Sequence, residues 1–291
     1  MKRFLPLILI ATSACAAADD EERSVDASPD GLVSISNTAG SIDVRGWSRN
    51  QVDVRADLGS GVDELVVERD GDKVLVQVKT RRSMRSSSTD LHVRVPENSS
   101  IDVSGISADI SVDGVLGAQR LQSISGDIET TAHEADVDIE TVSGDVNLEG
   151  DRRPIHVTLS TVSGDIDVDN VFGDIKSGSV SGDLYIVDGE FNRVTMNTTS
   201  GDIVFRAALL SNGRFDVETI NGDVDIKLAG EISASFDIET FNGEIRNCFG
   251  PEPVRTSRYA PGRELSFTEG GGSSRVIIRT LNGDLRLCRD D

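Results

Sequence analysis

Thr-Val-Ser-Gly-Asp-Ile, residues 161–166, decides the fold, because close copies of it recur from about residue 105 to the C-terminus. Aligned on their glycines, successive copies lie 18 to 21 residues apart, and the last gap is 40 residues. A fixed period near 20 residues indicates a solenoid or another array of repeats. The aligned glycines are Gly126, Gly144, Gly164, Gly182, Gly201, Gly222, Gly243 and Gly283.

Apolar and polar residues alternate on both sides of each glycine. Val157 and Leu159 precede Gly164, and Ile166 and Val168 follow it. A period of two that is rich in Val and Ile is typical of β-strands. Ser-Gly and Asn-Gly pairs are typical of turns, because glycine adopts a positive φ at little cost. The sequence therefore predicts an all-β fold: a parallel β-solenoid (β-helix) of about nine coils of 18–21 residues, with two strands in each coil.

Stacked coils would place equivalent residues in columns. We expect two apolar columns to form the core and a Ser/Thr column to lie at a corner. Charges in an acidic column about 4.8 Å apart repel, so its side chains must be solvated, bonded to turn amides or neutralised by cations. The first apolar column is Val142, Val162, Val180, Thr199, Ile220, Phe241 and Leu281, and the second is Ile128, Val146, Ile166, Leu184, Ile203, Val224, Ile245 and Leu285. The Ser/Thr column is Ser123, Thr141, Thr161, Ser179, Thr198, Thr219, Thr240 and Thr280, and the acidic column is Asp127, Asp145, Asp165, Asp183, Asp202, Asp223, Glu244 and Asp284.

Residues 1–18 have the pattern of an export signal. Lys2 and Arg3 precede an apolar run, and Ala16–Ala18 offer a small-residue cleavage site. The preceding Thr-Ser-Ala-Cys resembles a lipoprotein cleavage box, so Cys15 is a candidate for lipidation, with simple cleavage as the alternative. The sequence predicts export to the periplasm, outer membrane or surface of a bacterium. No later stretch has the roughly 18 apolar residues of a transmembrane helix, so we predict no such segment.

The remaining regions are defined by departures from the repeat. Residues 19–30 are acidic and poor in apolar residues, which predicts a linker. Residues 31–104 alternate without the motif, which predicts a small N-terminal β-meander that caps the solenoid. The solenoid is then expected over residues 105–291, with an irregular insertion at about 250–275 that packs over its end.

Two cysteines occupy equivalent positions in the repeat. Cys248 lies five residues after Gly243, and Cys288 lies five residues after Gly283. If the 40-residue gap is one coil plus an insertion, the cysteines lie on neighbouring coils, with their Cα atoms about 4.8 Å apart. That separation is within the range of a disulfide, and exported proteins commonly contain disulfides. We therefore predict a bond between them.

Several motifs together resemble a known family. They are the repeat itself, the Gly-Ser-Ile-Asp-Val-Arg-Gly-Trp stretch that ends at Trp47, the strand that ends at Pro96, and the Arg-Thr-Leu-Asn-Gly-Asp-Leu of residues 279–285. Over residues 31–291 the chain resembles a bacterial β-strand-repeat domain family of unknown function whose members are called putative adhesins. The resemblance implies an adhesin-like role. That family has no agreed catalytic residues, so the resemblance implies no catalytic site.

Composition and motifs exclude several classes of function. The chain has 50 acidic and 29 basic residues and a net charge of −21, which argues against nucleic acid as a partner. His92, His133 and His156 lie at no metal-ligand spacing, and we predict no catalytic residue, no metal site and no cofactor.

We therefore expect a non-enzymatic exported cell-envelope or surface protein, an adhesin-like scaffold that binds an envelope or surface protein or a glycan. One alternative is a polysaccharide-acting β-helix enzyme, which a cleft of carboxylates with Arg or Lys outside the columns would favour. Another is an envelope-stress regulatory binding protein, which an exposed apolar patch would favour.

Overall fold

The computed structural model describes residues 19–80, 88–257 and 261–290, and all regular structure in them is β. No helix in these ranges is long and apolar enough to cross a membrane. The expected export signal and Cys15 lie outside them. The strands are β1 (Asp19–Asp26), β2 (Leu32–Trp47), β3 (Gln51–Leu58), β4 (Val62–Asp70), β5 (Lys73–Thr80), β6 (Thr89–Pro96), β7 (Ser100–Asp113), β8 (Gln119–Ser123), β9 (Ile128–Ala132), β10 (Val137–Thr141), β11 (Val146–Gly150), β12 (Pro154–Ser160), β13 (Ile166–Ser181), β14 (Leu184–Ser200), β15 (Ile203–Asn221), β16 (Val224–Ala229), β17 (Ala234–Asn242), β18 (Ile245–Asn247), β19 (Val254–Arg255), β20 (Arg263–Glu269), β21 (Ser274–Asn282) and β22 (Leu285–Arg289).

The repeat forms two ladders of parallel strands. The first ladder contains the strand that precedes each motif glycine, as where Val137 of β10 pairs with Val157 of β12. The second contains the strand that follows the glycine, as where Val146 of β11 pairs with Ile166 of β13. We call two such strands and the glycine-containing corner between them a rung. Equivalent residues of successive rungs thus lie above one another.

The core lies between the two ladders and is filled by alternate residues of each strand. The second predicted apolar column, from Ile128 to Leu285, is buried in every rung. Near the middle of the chain Phe205 packs against Phe191 and Phe215, with ring centroids 5.7 and 4.8 Å away. Within one rung, the apolar face of each strand points toward the core. A single rung cannot bury these faces alone, and stacking on its neighbours completes a continuous core.

The N-terminal end does not follow chain order. Strand β2 pairs in parallel with β5 and β6 on one side and with β7 on the other. The first rung in the chain is therefore the second in space. Strands β3 and β4 pair antiparallel with β6 and β5 and cover the outermost rung. The prediction of a meander is wrong for β2, β5 and β6, which pair in parallel. Alternation of apolar and polar residues indicates that strands are present, but it does not indicate which strands pair with one another.

The predicted acidic linker is also different in the structure. Strand β1 pairs antiparallel with β3 along its whole length, from Asp19 opposite Leu58 to Asp26 opposite Gln51. Arg55 Nε donates to Glu22 Oε1 at 2.9 Å, and Val25 packs against the core. Ion pairs and backbone hydrogen bonds to β3 thus order a segment whose composition alone indicates disorder.

The C-terminal end is interleaved in the same way. Strands β21 and β22, the last in the chain, lie between β15/β16 on one side and β17/β18 on the other. The insertion expected at about 250–275 supplies β19 and β20, and β20 pairs antiparallel with β17. Phe267 of this insertion stacks on Phe236, with ring centroids 4.5 Å apart, so the insertion packs over the end of the solenoid.

A disulfide joins Cys248, directly after β18, to Cys288 of β22. The two Cα atoms are 4.8 Å apart, the distance expected between neighbouring rungs. The bond therefore connects the outermost rung to the interleaved one.

Candidate functional site

The motif corner turns an apolar side chain outward in each rung. Thr161 is 5% exposed, whereas the next residue, Val162, is 44% exposed. The prediction that the column from Val142 to Leu281 belongs to the core is therefore wrong. Ile139 and Thr141 both point inward because they are two residues apart on one strand, so the residue after Thr141 must point outward before the chain turns.

The Ser/Thr column is buried in every rung and is structural. Four of its hydroxyl groups, those of Ser179, Thr198, Thr240 and Thr280, donate to the carbonyl of the motif glycine in the adjacent rung. Thr198 Oγ1 lies 3.3 Å from the carbonyl oxygen of Gly182, and Thr240 Oγ1 lies 3.1 Å from that of Gly283. A small side chain with a hydroxyl group thus fits the inside of the corner, and the larger aliphatic residue takes the outside.

The outward-facing residues form one continuous line, which we call the apolar stripe. It contains eight of the eleven large apolar side chains that are exposed in the described residues, each between 43% and 50% exposed. Nine rungs about 4.8 Å apart give it a length of about 38 Å. In spatial order the apolar stripe is Ile106, Ile124, Val142, Val162, Val180, Thr199, Ile220, Leu281 and Phe241.

The motif glycines allow the rungs to stack closely at this corner. A Cβ atom added to Gly164 would lie less than 3 Å from the carbonyl oxygen of Gly144, and one added to Gly182 would overlap Gly164 in the same way. The φ angle of Gly164 is not positive. At Gly164 glycine is therefore required by the approach of the neighbouring backbone and not, as predicted, by a positive φ, whereas Gly283 combines the close approach with a φ of +154°.

Carboxylates follow the apolar stripe by three residues in each rung and form what we call the acidic ladder. Each backbone N–H donates to the carboxylate of the adjacent rung, as Asp165 does to Asp145 Oδ1 (2.9 Å) and Asp183 to Asp165 Oδ1 (2.8 Å). The carboxylates thus accept from the next rung and not, as expected, from their own turn. The acidic ladder is Asp109, Asp127, Asp145, Asp165, Asp183, Asp202, Asp223, Asp284 and Glu244.

The acidic ladder has few basic partners. Among the described residues, none of its eight aspartates forms an ion pair, and only the terminal Glu244 has a basic partner, Arg263, at 3.7 Å. Burial, together with Asp165 and Asp145 nearby, raises the pKa of Asp167 above its usual 3.8. The Tyr185 hydroxyl donates to Asp183 Oδ2 at 3.1 Å, and this bond raises the pKa of Tyr185. The corner is thus an apolar line beside a strong negative field.

Potential metal ligands do not cluster within the part of the chain that the structure describes. In the ranges that the structure describes, no group of three or more His, Cys, Asp or Glu side chains could hold a metal ion. His92 Nδ1 lies 3.2 Å from Asp43 Oδ2, and His133 Nδ1 lies 3.1 Å from Asp151 Oδ2. The histidines are therefore separate from one another and from the apolar stripe.

One hollow outside the columns does combine carboxylates with arginines. It lies on the outer face of β2, β3 and β6 near the N-terminal end and has a volume of about 310 Å³. Its carboxylate at Asp43 is already engaged by Arg45 at 3.1 Å and by His92. The lining residues are Asp43, Arg45, Asp53, Arg55, His92, Val93 and Arg94.

Comparison with known proteins supports the resemblance drawn from the repeat. The family model described as Toastrack DUF4097 matches residues 31–287. No curated protein matches the chain. A solved structure described as a putative lipid binding protein from Parabacteroides distasonis is 11% identical, covers 94% of this chain and 97% of its own, and has a TM-score of 0.47.

Two further similar structures are described as putative adhesins. One, from Bacteroides fragilis, is 11% identical, covers 92% of this chain and 97% of its own, and has a TM-score of 0.43. The other, from Parabacteroides distasonis, is 10% identical, covers 94% and 98%, and has a TM-score of 0.34. At these identities and TM-scores the likenesses carry no argument about function.

Proposed function

The chain belongs to the Toastrack DUF4097 family, and from this premise we propose that it is a non-enzymatic exported protein of the bacterial cell envelope or surface. It acts as an adhesin-like scaffold that binds another macromolecule along the apolar stripe. The export pattern of residues 1–18 supports the location, and the apolar stripe supports the mode of action.

The observation that carries this proposal is the exposure of eight large apolar side chains along one line, with Thr199 between Val180 and Ile220. Contiguous apolar patches are rare on monomeric soluble proteins and mark interaction sites. Covering the exposed half of each side chain would contribute roughly 1 kcal/mol, or about 8 kcal/mol over the stripe, before the costs of association. That is enough free energy to make the apolar stripe a binding surface.

The uniformity of the rungs supports a scaffold and not an enzyme. Thr161 is buried like its equivalents in the other rungs, and Asp165 accepts a backbone N–H from the next rung as the other carboxylates of the acidic ladder do. Catalysis needs one site that differs from the rest, with an acid, a base or a nucleophile set apart by its surroundings. A binding surface gains from repetition, because each rung adds the same contact.

The test uses a variant that the chain itself shows to be compatible with the fold. Thr199 occupies the apolar stripe naturally, so Val142→Thr, Val162→Thr and Val180→Thr combined should fold normally. After fractionation of the producing bacterium, we expect wild-type protein in the envelope fraction and the triple-threonine variant largely released from it. Val254→Thr is the matched control, because Val254 is 58% exposed and outside the stripe. Equal retention of all three proteins, or wild-type protein found in the cytoplasm, would contradict the proposal.

A second candidate is a regulatory binding protein of the envelope, and the apolar stripe favours it as well, because an apolar surface suits a protein partner better than a glycan. The two candidates differ in the effect that release has on the cell. A regulator predicts that the triple-threonine variant changes the output of an envelope-stress reporter. A scaffold predicts that attachment is lost while the reporter is unchanged.

The hollow at Asp43 and Asp53 favours a polysaccharide-acting enzyme. Asp43→Asn combined with Asp53→Asn would abolish turnover of an acidic polysaccharide by such an enzyme. We expect instead no turnover by the wild-type protein, since Asp43 is held by an ion pair with Arg45 and a contact with His92.

A further inference from the structure

We infer that the apolar stripe and the acidic ladder together bind a cationic amphipathic α-helix that lies along the axis of the solenoid. This inference rests on the proposed function and specifies the chemistry of its partner. The helix would place aliphatic side chains on the stripe and lysine or arginine side chains along its margins.

The charge of the margins selects a cationic partner. On one side of the stripe lie the eight aspartates of the acidic ladder, none in an ion pair within the described ranges. On the other side, two residues before the stripe, lie the exposed carboxylates of Glu140, Glu218 and Glu239. The basic side chain in that column, Arg279, already pairs with Glu218 at 3.5 Å. A second copy of this chain or an anionic bilayer would bring like charge to these margins, which costs free energy.

The spacing of the rungs selects a helix. Successive rungs repeat about every 4.8 Å along the stripe. One turn of an α-helix advances about 5.4 Å, so each turn meets the next rung with a mismatch of about 0.6 Å. Residues on one face of an extended strand are about 6.8 Å apart, a mismatch of about 2 Å per rung. Over four rungs the helical mismatch stays near 2.4 Å, which leucine and lysine side chains can absorb by rotation.

The probe is a labelled peptide of about 18 residues, or five helical turns, with leucine at every third or fourth position and lysine elsewhere. Its partner probe has the same pattern with glutamate in place of lysine. We expect the Leu/Lys peptide to bind purified protein, with a rise in fluorescence anisotropy and in helical circular dichroism, and the Leu/Glu peptide not to bind. We also expect affinity to fall as salt rises, because the margins are solvent-exposed charges.

Two sets of variants separate the apolar and the charged contributions. The triple-threonine variant should bind the Leu/Lys peptide at least about tenfold more weakly, since three aliphatic contacts are lost. The charge variant combines Asp145→Asn, Asp165→Asn and Asp183→Asn. It keeps an Oδ1 acceptor for the next rung at each position and removes three charges. We expect this charge variant to bind about three- to tenfold more weakly and to lose much of its salt dependence.

Matched controls keep both readouts interpretable. The control for the charge variant combines Glu231→Gln, Glu252→Gln and Asp290→Asn at exposed sites away from the stripe. It removes the same number of charges and should leave the affinity for the Leu/Lys peptide unchanged. Val254→Thr should do the same for an apolar change. Melting temperature and sedimentation velocity verify that each variant is folded.

Several outcomes would overturn the inference. Equal binding of the Leu/Lys peptide to all variants would show attraction to net charge alone. Self-association of the wild type that the triple-threonine variant loses would assign the stripe to a second copy, and stripe-dependent binding of phosphatidylglycerol vesicles would assign it to lipid. In the first two cases the proposed function still stands if the triple-threonine variant is released from the envelope, and falls if it is not. Stripe-dependent binding of vesicles would overturn the proposed function as well, because the partner would then be lipid.

Discussion

At the N-terminal end of the solenoid, antiparallel strands cover both ladders of the outermost rung. Strand β4 covers β5 in the first ladder, and β3 with β1 beyond it covers β6 in the second. At the C-terminal end, β20 covers the first ladder, but the second ladder ends at β18, a strand of only three residues. The disulfide begins directly after that strand, at Cys248.

The difference between the ends shows two ways to close the same architecture. Exposed strand edges invite pairing with other chains, so solenoids need covered ends. Where additional strands cover the edge, hydrogen bonds suffice. Where the cover is short, a covalent bond holds the outermost rung to the interleaved one. Variants at each end can therefore test whether the two closures are equivalent.

The largest effect is expected from removing the covalent closure. Cys248→Ser with Cys288→Ser opens a link across 40 residues of chain and should lower the free energy of unfolding by about 2–4 kcal/mol. Hydrogen exchange should show the loss of protection in β18 and β22 and unchanged protection in β5 and β6. A uniform loss over both ends would contradict the idea that the bond acts locally.

Glycine-to-alanine substitutions in the two interleaved rungs should have the next largest effect. A Cβ atom at Gly40 would overlap the backbone of Thr89, and one at Gly283 would overlap that of Gly222, so each should cost about 1–3 kcal/mol. Both positions also have a positive φ, +112° at Gly40 and +154° at Gly283, which strains an alanine in addition to the overlap. Urea denaturation measures both.

A control for this pair is Gly178→Ala, which should change the free energy of unfolding by less than about 0.5 kcal/mol. Its added Cβ atom would meet only the Asn197 carbonyl oxygen, at an ordinary 3.6 Å. If Gly283→Ala were equally mild, the interleaved rung would not be stacked as closely as described.

The acidic ladder offers a smaller test at the C-terminal end. Asp284 Oδ1 accepts the backbone N–H of Glu244 at 2.9 Å, so Asp284→Ala should cost about 1 kcal/mol. Asp284→Asn retains the acceptor and should be close to neutral. At the N-terminal end, Ser41 of β2 is paired with Asp109 of β7 and so takes the place of a carboxylate. Its hydroxyl donates to Asp90 Oδ1 at 2.8 Å. Ser41→Ala should therefore leave the acidic ladder intact, which melting at low salt would verify.

The smallest expected effect concerns pH at the N-terminal end. A hydrogen bond to Asp57, and then repulsion by the Asp57 charge, raise the pKa of Asp20 above 3.8. A raised pKa in an acid means that the ionised form opposes docking of β1, so docking should strengthen as the pH falls through this raised value. Asp20→Asn should protect β1 amides from hydrogen exchange at pH 7. The added protection should disappear below about pH 3.8, where Asp20 of the wild type is itself protonated. Added protection that stays constant with pH would exclude the charge of Asp20 as its cause.

The columns are predicted well from the sequence, but the direction in which one of them points is predicted wrongly. Equivalent spacing from the motif glycines places Cys248 and Cys288 on neighbouring rungs, and the structure joins them. The column containing Val162 is predicted to lie in the core because apolar residues are usually buried, although the parity from Ile139 to Thr141 already indicates the reverse. The direction is therefore encoded within one repeat, by strand alternation, and the usual burial of apolar residues conceals it.

The interleaving of the ends could not be predicted from the repeat. A gap of 40 residues fits a rung on either side of its predecessor. The structure orders the corner asparagines as Asn221, Asn282 and Asn242, with amide hydrogen bonds of 2.8 and 2.9 Å between successive side chains. The change from Ser-Gly to Asn-Gly in these three rungs marks them as a group but does not give their order.

The interleaved ends also bear on how the molecule responds to mechanical force. A repeat array whose first and last units are outermost can peel apart from its tips, one unit at a time. Here a pull from the N-terminal side first detaches β1 from β3 and then reaches β2, and a pull from the C-terminal side reaches β22; β2 and β22 are each enclosed by a neighbour on both sides. Extracting such a strand must break its hydrogen bonds to both neighbours at once. An attached molecule under tension would therefore resist unravelling more than an array in which the first and last strands of the chain are outermost.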